Sequence, residues 1–158
     1  MSVALEIVSE GLTEALLKIE GLAEAPRFEL MDGIGRLVQE QTRRRIEEEK
    51  TAPSGAKWQP NIAGTPLLYQ SGALSRSIDY EAGETTVMVG SGLIYARIHQ
   101  EGGTIRPRDA RALFFHLGNS LIMVQSVDMP ARPYLGLSAA NENDIVETAE
   151  DWLGRLVQ

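Results

Sequence analysis

Hydrophobic periodicity changes twice along this chain of 158 residues. Apolar residues recur at helical spacing near both ends. Between them lie short runs in which apolar and polar residues alternate, separated by Gly and Pro. Helical patterns that bracket short alternating runs are typical of an α+β fold with antiparallel strands. Because a domain usually takes roughly 150 residues, we expect one domain over residues 1–158.

The patterns predict an antiparallel sheet of about four to five strands, packed against two N-terminal helices and a C-terminal helix. The first helix has apolar positions from Leu12 to Ala23 and ends at Pro26, and the second runs from about Phe28 to Lys50. The other predicted elements are a strand at 3–7, a long loop at 51–66, hairpins at 78–89 and 112–127, a short helical piece at 95–100, and a final helix capped by Asn143 with a stripe of Val146, Ala149, Leu153 and Leu156.

The composition excludes several classes of protein. The chain has no cysteine, which rules out disulfide frameworks, cysteine-based zinc sites and thiol catalysis. Fifteen basic and twenty-two acidic residues give a net charge of −7, which argues against a general binder of duplex DNA. The N-terminal sequence lacks the pattern of a signal peptide, and we expect no association with a membrane.

Few residues have the arrangement that catalysis needs. The two histidines, His99 and His116, have no metal-ligand spacing, and His116 lies in a predicted strand where packing explains it. We therefore expect no enzyme, no metal site and no cofactor. A small hydrolase centred on His99, Glu101 and Asp109, with the imidazole as general base, is the enzyme alternative.

Arginine and tryptophan mark other candidate contacts. Residues 43–45 are three arginines, each four positions before a glutamate, which predicts a neutralised surface on the second helix. Trp58 lies in the middle of the long loop, where it either folds onto the core or anchors a partner. Three further arginines follow on a loop braced by proline, and they suit an anion or nucleic acid, or else ion pairs between subunits; they are Arg106, Arg108 and Arg111.

Four segments, taken in order, resemble one known family. They are residues 55–60 (GAKWQP), 69–78 (YQSGALSRSI), 95–103 (YARIHQEGG) and 131–138 (ARPYLGLS). The chain resembles the tailed-phage virion morphogenesis, or tail completion, proteins of Mu-like phages and prophages, and the likeness covers nearly all of it. Residues 59–68 are short and uncharged, where family members often carry a longer stretch rich in Lys and Arg.

The residues of these segments suit the shaping of loops. Gly72 permits a turn, and Leu74 stands one helical turn from Ile78, so that a short helix can pack on the sheet. His99 and Gln100 precede two glycines and are suited to holding a loop by hydrogen bonds. The predicted loop-shaping residues are Gly72, Leu74, Tyr95, His99, Gln100, Gly102, Gly103 and Pro133.

The resemblance implies a structural protein of the phage neck or tail end, which completes the tail and allows it to join a DNA-filled head. Its expected partners are copies of itself, in a ring around the DNA passage, and neck or tail proteins such as the tube, terminator or connector. The genome would pass without specific binding. The expected location is the virion, and the host cytoplasm during assembly. A tail terminator or connector is the alternative of the same class, and a nucleic-acid-binding accessory protein is one of another class.

A closed ring requires two different patches on each subunit that fit head-to-tail. We expect them on the loops at 51–66 and 102–111, with the acidic terminal helices as counter-charge. Pro133 also stiffens the segment that presents Arg132, and such an arginine is suited to a carboxylate of a neighbouring subunit. The predicted interface residues are Trp58, Arg106, Arg108, Arg111, Arg132 and Tyr134.

Overall fold

The structure, a computed structural model, describes residues 3–7 and 26–156. These residues adopt the α+β fold that the sequence predicts; the predicted helix from Leu12 to Ala23 lies outside them. The helices are α1 (Arg27–Arg44), continued by a π-helical turn (Arg45–Glu49), α2 (Ala73–Arg76), α3 (Ala96–Glu101) and α4 (Ala139–Leu156). The strands are β1 (Val3–Ile7), β2 (Ile78–Ala82), β3 (Val87–Ser91), β4 (Gly103–Ile105), β5 (Leu113–Leu117), β6 (Ser120–Val124) and β7 (Val127–Met129).

The strands are divided among three small antiparallel sheets within the described residues. β3 lies between β1 and β2, β4 pairs with β7, and β5 pairs with β6. The prediction of antiparallel strands is confirmed, but they do not join into one sheet of four to five. Gly102 and Gly103 have φ values of 72° and 141°, and this turn after α3 starts β4 in a new direction.

The hydrophobic core lies where α1 packs against the three-stranded sheet and against α4. Its buried side chains come from all three elements, at the periodicity that each element imposes. They include Leu30, Met31, Ile34 and Val38 from α1, Ile78, Val87 and Val89 from β2 and β3, and Ile145, Ala149 and Trp152 from α4.

α4 begins earlier than the sequence predicts. The Oγ of Ser138 accepts a hydrogen bond from the backbone N–H of Asn141, and the Oδ1 of Asn141 accepts one from the N–H of Ser138, both at 3.2 Å. This reciprocal pair is a capping box, so the prediction of Asn143 as the cap is wrong. The predicted stripe is also rotated, because Val146 is 51% exposed and the buried apolar face consists of Ile145, Ala149 and Trp152.

The π-helical turn changes the ion pairs expected at residues 43–45. The backbone N–H of Lys50 donates to the carbonyl of Arg45 at 3.0 Å, which closes a turn one residue wider than an α-helical turn. Arg44 therefore reaches Glu49 at 3.0 Å, while Arg43 pairs with Glu40 at 3.4 Å. The predicted pairing of Arg43 and Arg44 with glutamates four residues later is wrong.

Two glycines of α1 provide a test of how closely the helix approaches the sheet. A Cβ at Gly35 would lie 2.3 Å from Cδ2 of Tyr80, whereas one at Gly33 would meet nothing within 4 Å. We expect Gly35→Ala to lower the free energy of unfolding by about 1–3 kcal/mol through overpacking. Gly33→Ala should raise it by roughly 0.5–1 kcal/mol, because alanine is the better helix former. Urea unfolding of both variants measures the difference, and equal effects would contradict the close approach.

Candidate functional site

Three of the four segments singled out in the sequence, residues 55–60, 95–103 and 131–138, meet in one cluster. Residues 131–138, here called the central segment, form hydrogen bonds with α3, with the loop at 51–66 and with the π-helical turn. The central segment has no regular secondary structure, so its backbone polar groups need partners from elsewhere. The side chains of the other three elements supply several of them.

Gln100 of α3 holds the middle of the central segment. Its Oε1 accepts hydrogen bonds from the N–H groups of Tyr134 (2.9 Å) and Leu135 (3.0 Å), and its Nε2 donates to the carbonyl of Leu135 at 3.1 Å. The carbonyl of His99 accepts from the N–H of Arg132 at 2.8 Å. A single amide side chain thus satisfies three backbone groups, which is the kind of role that the sequence suggests for His99-Gln100.

Tyr134 and Trp58 fix the central segment from two sides. The Tyr134 hydroxyl donates to the carbonyl of Ala96 at 3.0 Å, and burial raises the pKa of this hydroxyl above its usual value, so it remains a donor. The indole Nε1 of Trp58 donates to the carbonyl of Pro133 at 2.9 Å. Trp58 is only 6% exposed, so it folds onto the core.

Arg45 is the residue of the cluster that sequence analysis missed. Its side chain is 2% exposed. Nη1 donates to the carbonyls of Tyr134 (2.8 Å) and Gly136 (2.9 Å), and Nη2 donates to the Oδ1 of Asn141 at 2.5 Å. Burial lowers the pKa of this guanidinium. One signal was available, because position 45 lies seven residues after the buried Val38 and so on the same helix face.

Glycines allow close backbone contacts at two edges of the cluster. A Cβ at Gly102 would lie 2.7 Å from the backbone nitrogen of Ala131, and one at Gly136 would lie 2.6 Å from Cγ of Pro53. Pro133 is half-buried in the central segment. Any larger residue at either glycine would displace the central segment from α3 or from the loop at 51–66.

The segment at 69–78 forms a separate support beside the cluster. Gly72 has a φ of 71° and precedes α2, in which Leu74 is buried. The Ser77 hydroxyl donates to the carbonyl of Leu74 and lies 2.7 Å from the Ser91 hydroxyl of β3. α2 is thereby joined to the first sheet, with Leu74 and Ile78 both packed in the core.

A cavity of about 390 Å³ opens between these supports. His99 contributes to its wall with a buried Nδ1 that has no hydrogen-bond partner in the described part of the chain. Burial, and then the charge of Arg132, lower the pKa of the imidazole, which keeps it neutral at neutral pH. The half-exposed Tyr95 meets this ring edge-on, with centroids 5.8 Å apart.

The cavity does not bring together the set expected for a hydrolase. Glu101 is exposed and pairs with Arg97 at 2.8 Å, and Asp109 lies exposed on the loop before β5. His99 has no carboxylate hydrogen-bond partner among residues 26–156. Within the same residues, no three His, Asp or Glu side chains are placed to hold a metal ion.

The six predicted interface residues fall into two groups. Trp58, Arg132 and Tyr134 are at most 6% exposed and form hydrogen bonds within the chain, which gives them a role in the fold; their contact with a partner stays a prediction. The other three are exposed and form no ion pair in the described part of the chain; they are Arg106, Arg108 and Arg111.

The hairpin of β5 and β6, here called the arm (residues 113–124), carries four exposed large apolar side chains, those of Phe114, Phe115, Leu121 and Met123. The arm forms a two-stranded sheet, and no residue of either strand is buried. Phe114 pairs with Met123 on one face, and both are more than 60% exposed; Phe115 pairs with Ile122 on the other. His116 is also exposed, so the part of the chain that the structure describes does not give it the packing role that the sequence predicts.

Comparison with known proteins identifies the family. Residues 4–154 match the phage virion morphogenesis family. The chain belongs to that family. It is also similar to the putative capsid assembly protein G of Escherichia phage Mu, with 33% identity over 103 residues that cover 63% of this chain and 55% of the Mu protein. The match thus spans about half the length of that relative. No solved structure matches the chain.

Membership of the phage virion morphogenesis family confirms the resemblance found in the sequence and assigns the chain to the assembly of phage particles. Among the residues that the structure describes, no helix is long and apolar enough to cross a membrane. Three of the segments that carried the resemblance build the hydrogen-bonded cluster together, and the fourth, residues 69–78, joins α2 to the first sheet.

Arg45 provides the test of that cluster in this member of the phage virion morphogenesis family. Arg45→Met leaves the carbonyls of Tyr134 and Gly136 without this donor and removes one of the two donors to the Oδ1 of Asn141, and each unsatisfied buried acceptor costs about 1–3 kcal/mol. We expect the free energy of unfolding to fall by about 3 kcal/mol or more. Arg44→Met is the matched control, because Arg44 is half-exposed and its loss should cost about 0.5 kcal/mol or less. Urea unfolding checks both, and similar losses would contradict the role of Arg45.

Proposed function

We propose that this protein acts at the neck or tail end of the phage particle, where it forms a ring, completes the tail and allows the tail to join a DNA-filled head. The exposed arm is the observation that carries the proposal. Monomeric proteins rarely leave contiguous large apolar side chains in water, and two-stranded sheets with open edges readily add further strands or partners. A surface of this kind fits a protein whose work is to be built into a particle.

The mechanism in this proposal is assembly without bond chemistry. The polar side chains of the cluster, Gln100 and Arg45 above all, are engaged with backbone groups of the same chain. The neutral imidazole of His99 has no carboxylate hydrogen-bond partner within residues 26–156 to activate it. These features support a structural role over the hydrolase alternative.

The partners in this proposal are copies of the chain and other neck or tail proteins, such as the tube, terminator or connector. A net charge of −7 disfavours tight binding to the phosphate backbone. A ring of such subunits suits a passage through which the genome moves without being held. The protein would reside in the virion, and in the host cytoplasm during assembly.

A second candidate places the protein on the head side of the particle. The Mu relative is described as a putative capsid assembly protein, and this name favours a role in building or closing the head. The two candidates predict different products when the protein is missing, so one experiment separates them.

The experiment is electron microscopy of lysates from a phage whose copy of this gene is interrupted. We expect filled heads and separate tails, with joined particles restored when the intact gene is supplied in trans. Missing or malformed heads would favour the head-side candidate instead. Normal infectious particles would contradict both, and restoration of joining by the gene in trans is the control for effects on neighbouring genes.

A further inference from the structure

We infer that the arm of one copy docks on the exposed face of α4 in a second copy of this chain, and that this head-to-tail contact is the repeating bond of the assembly. The inference rests on the self-association in the proposed function and assigns its two surfaces. Neither surface corresponds to the buried residues that sequence analysis placed at the interface.

The arm has the properties of a strand pair that is covered in the assembled state. Residues 112–127 contain no Asp, Glu, Lys or Arg. Exposed edge strands of soluble proteins are usually protected by charged residues, by proline or by bulges, and the arm has no charge or proline along its strands. Its cross-strand pairs present apolar side chains on both faces.

The chain leading into the arm is basic. Asp109 offsets only one of the three arginines on that loop, which leaves a net charge of about +2 beside an apolar hairpin. All three guanidinium groups are exposed and have no ion-pair partner in the part of the chain that the structure describes; they belong to Arg106, Arg108 and Arg111.

The solvent face of α4 has the complementary pattern. Val146 is 51% exposed, so this face keeps apolar surface outside the core. Glu142 and Glu150 lie one helical turn before and after Val146, Glu147 and Asp151 are also exposed, and Arg155 near the end is the one basic residue of the helix. None of the four carboxylates has an ion-pair partner among residues 26–156. The exposed face of α4 is therefore apolar at its centre and acidic around it, whereas the arm is apolar and the loop before it is basic.

Charge selects a second copy in this orientation. Contact between two arms would bring their basic loops together, and contact between two α4 faces would bring their acidic residues together. Both symmetric contacts place like charges side by side and are therefore disfavoured. Contact between an arm and an α4 face is attractive, and the arm is exposed in its own chain. Two different patches on every copy give a head-to-tail contact, which closes into a ring when the rotation allows.

Paired charge reversals test this contact by sedimentation of the purified full-length chain. The arm variant carries Arg106→Glu, Arg108→Glu and Arg111→Glu, and the helix variant carries Glu147→Lys, Glu150→Lys and Asp151→Lys. We expect each variant alone to lose the oligomer of the unmodified chain. We expect a 1:1 mixture to recover it, because the acidic arm now meets the basic helix and the unchanged arm meets the unchanged helix.

Substitutions of exposed apolar residues provide the second part of the experiment. Phe114→Ser with Met123→Ser should weaken self-association, whereas Met88→Ser should not, since Met88 is an exposed methionine on β3. Thermal unfolding monitors the fold of every variant. The exposed positions of these side chains make unfolding an unexpected result, and the mixture experiment remains decisive because recovery requires two folded variants.

Three results of the sedimentation experiment would overturn the inference. They are an unmodified chain that stays monomeric at its highest soluble concentration, an oligomer that survives the arm changes, and single variants whose mixture does not recover. Binding of the arm to a purified neck or tail protein in place of its own chain would also overturn it. If the arm variant supports normal joining of heads and tails in a complemented lysate, the inference fails while the proposed function stands.

Discussion

A buried guanidinium organises this structure. Transfer of the Arg45 cation from water into the core costs several kcal/mol. Hydrogen bonds to three neutral acceptors offset this cost. The carboxylate of Glu49 lies 4.0 Å from the guanidinium and is too far away to accept a hydrogen bond from it. Two acceptors are carbonyls of the central segment, and the third is the side chain that closes the capping box of α4. One side chain therefore sets the path of the central segment and the starting point of α4 together.

The hydrogen-bonded cluster supports the fold, whereas the arm and the exposed face of α4 are the surfaces that we assign to assembly. The segments shared with the phage virion morphogenesis family are used mainly inside the chain, where Gln100 and Tyr134 hold the backbone between the arm and α4. The surfaces that we assign to self-association lie outside them. A rigid frame is useful to such a protein, because a repeating head-to-tail contact closes only if each subunit holds its two patches at a fixed angle.

The sequence predicts local features of this fold and misses those that depend on tertiary contacts. The second hairpin follows from the two runs that flank Gly118-Asn119-Ser120, and the helix beginning near Phe28 follows from its apolar spacing. The π-helical turn cannot be read from the arginine-glutamate pattern, and it is what pairs Arg44 with Glu49 in place of Glu48. The sequence predicts a hairpin here, but it does not say whether the apolar residues at 113–124 are covered by the same chain or by another.

The central claim is that the central segment is already fixed in the free chain and that assembly covers the arm. Hydrogen–deuterium exchange, compared between the free chain and assembled particles, tests it most directly. The account predicts that the backbone N–H groups of residues 132, 134 and 135 exchange slowly in both states, while those on the outer edges of the arm exchange quickly in the free chain and slowly in the particle. Rapid exchange at residues 132–135 in the free chain, with protection gained only on assembly, would contradict it.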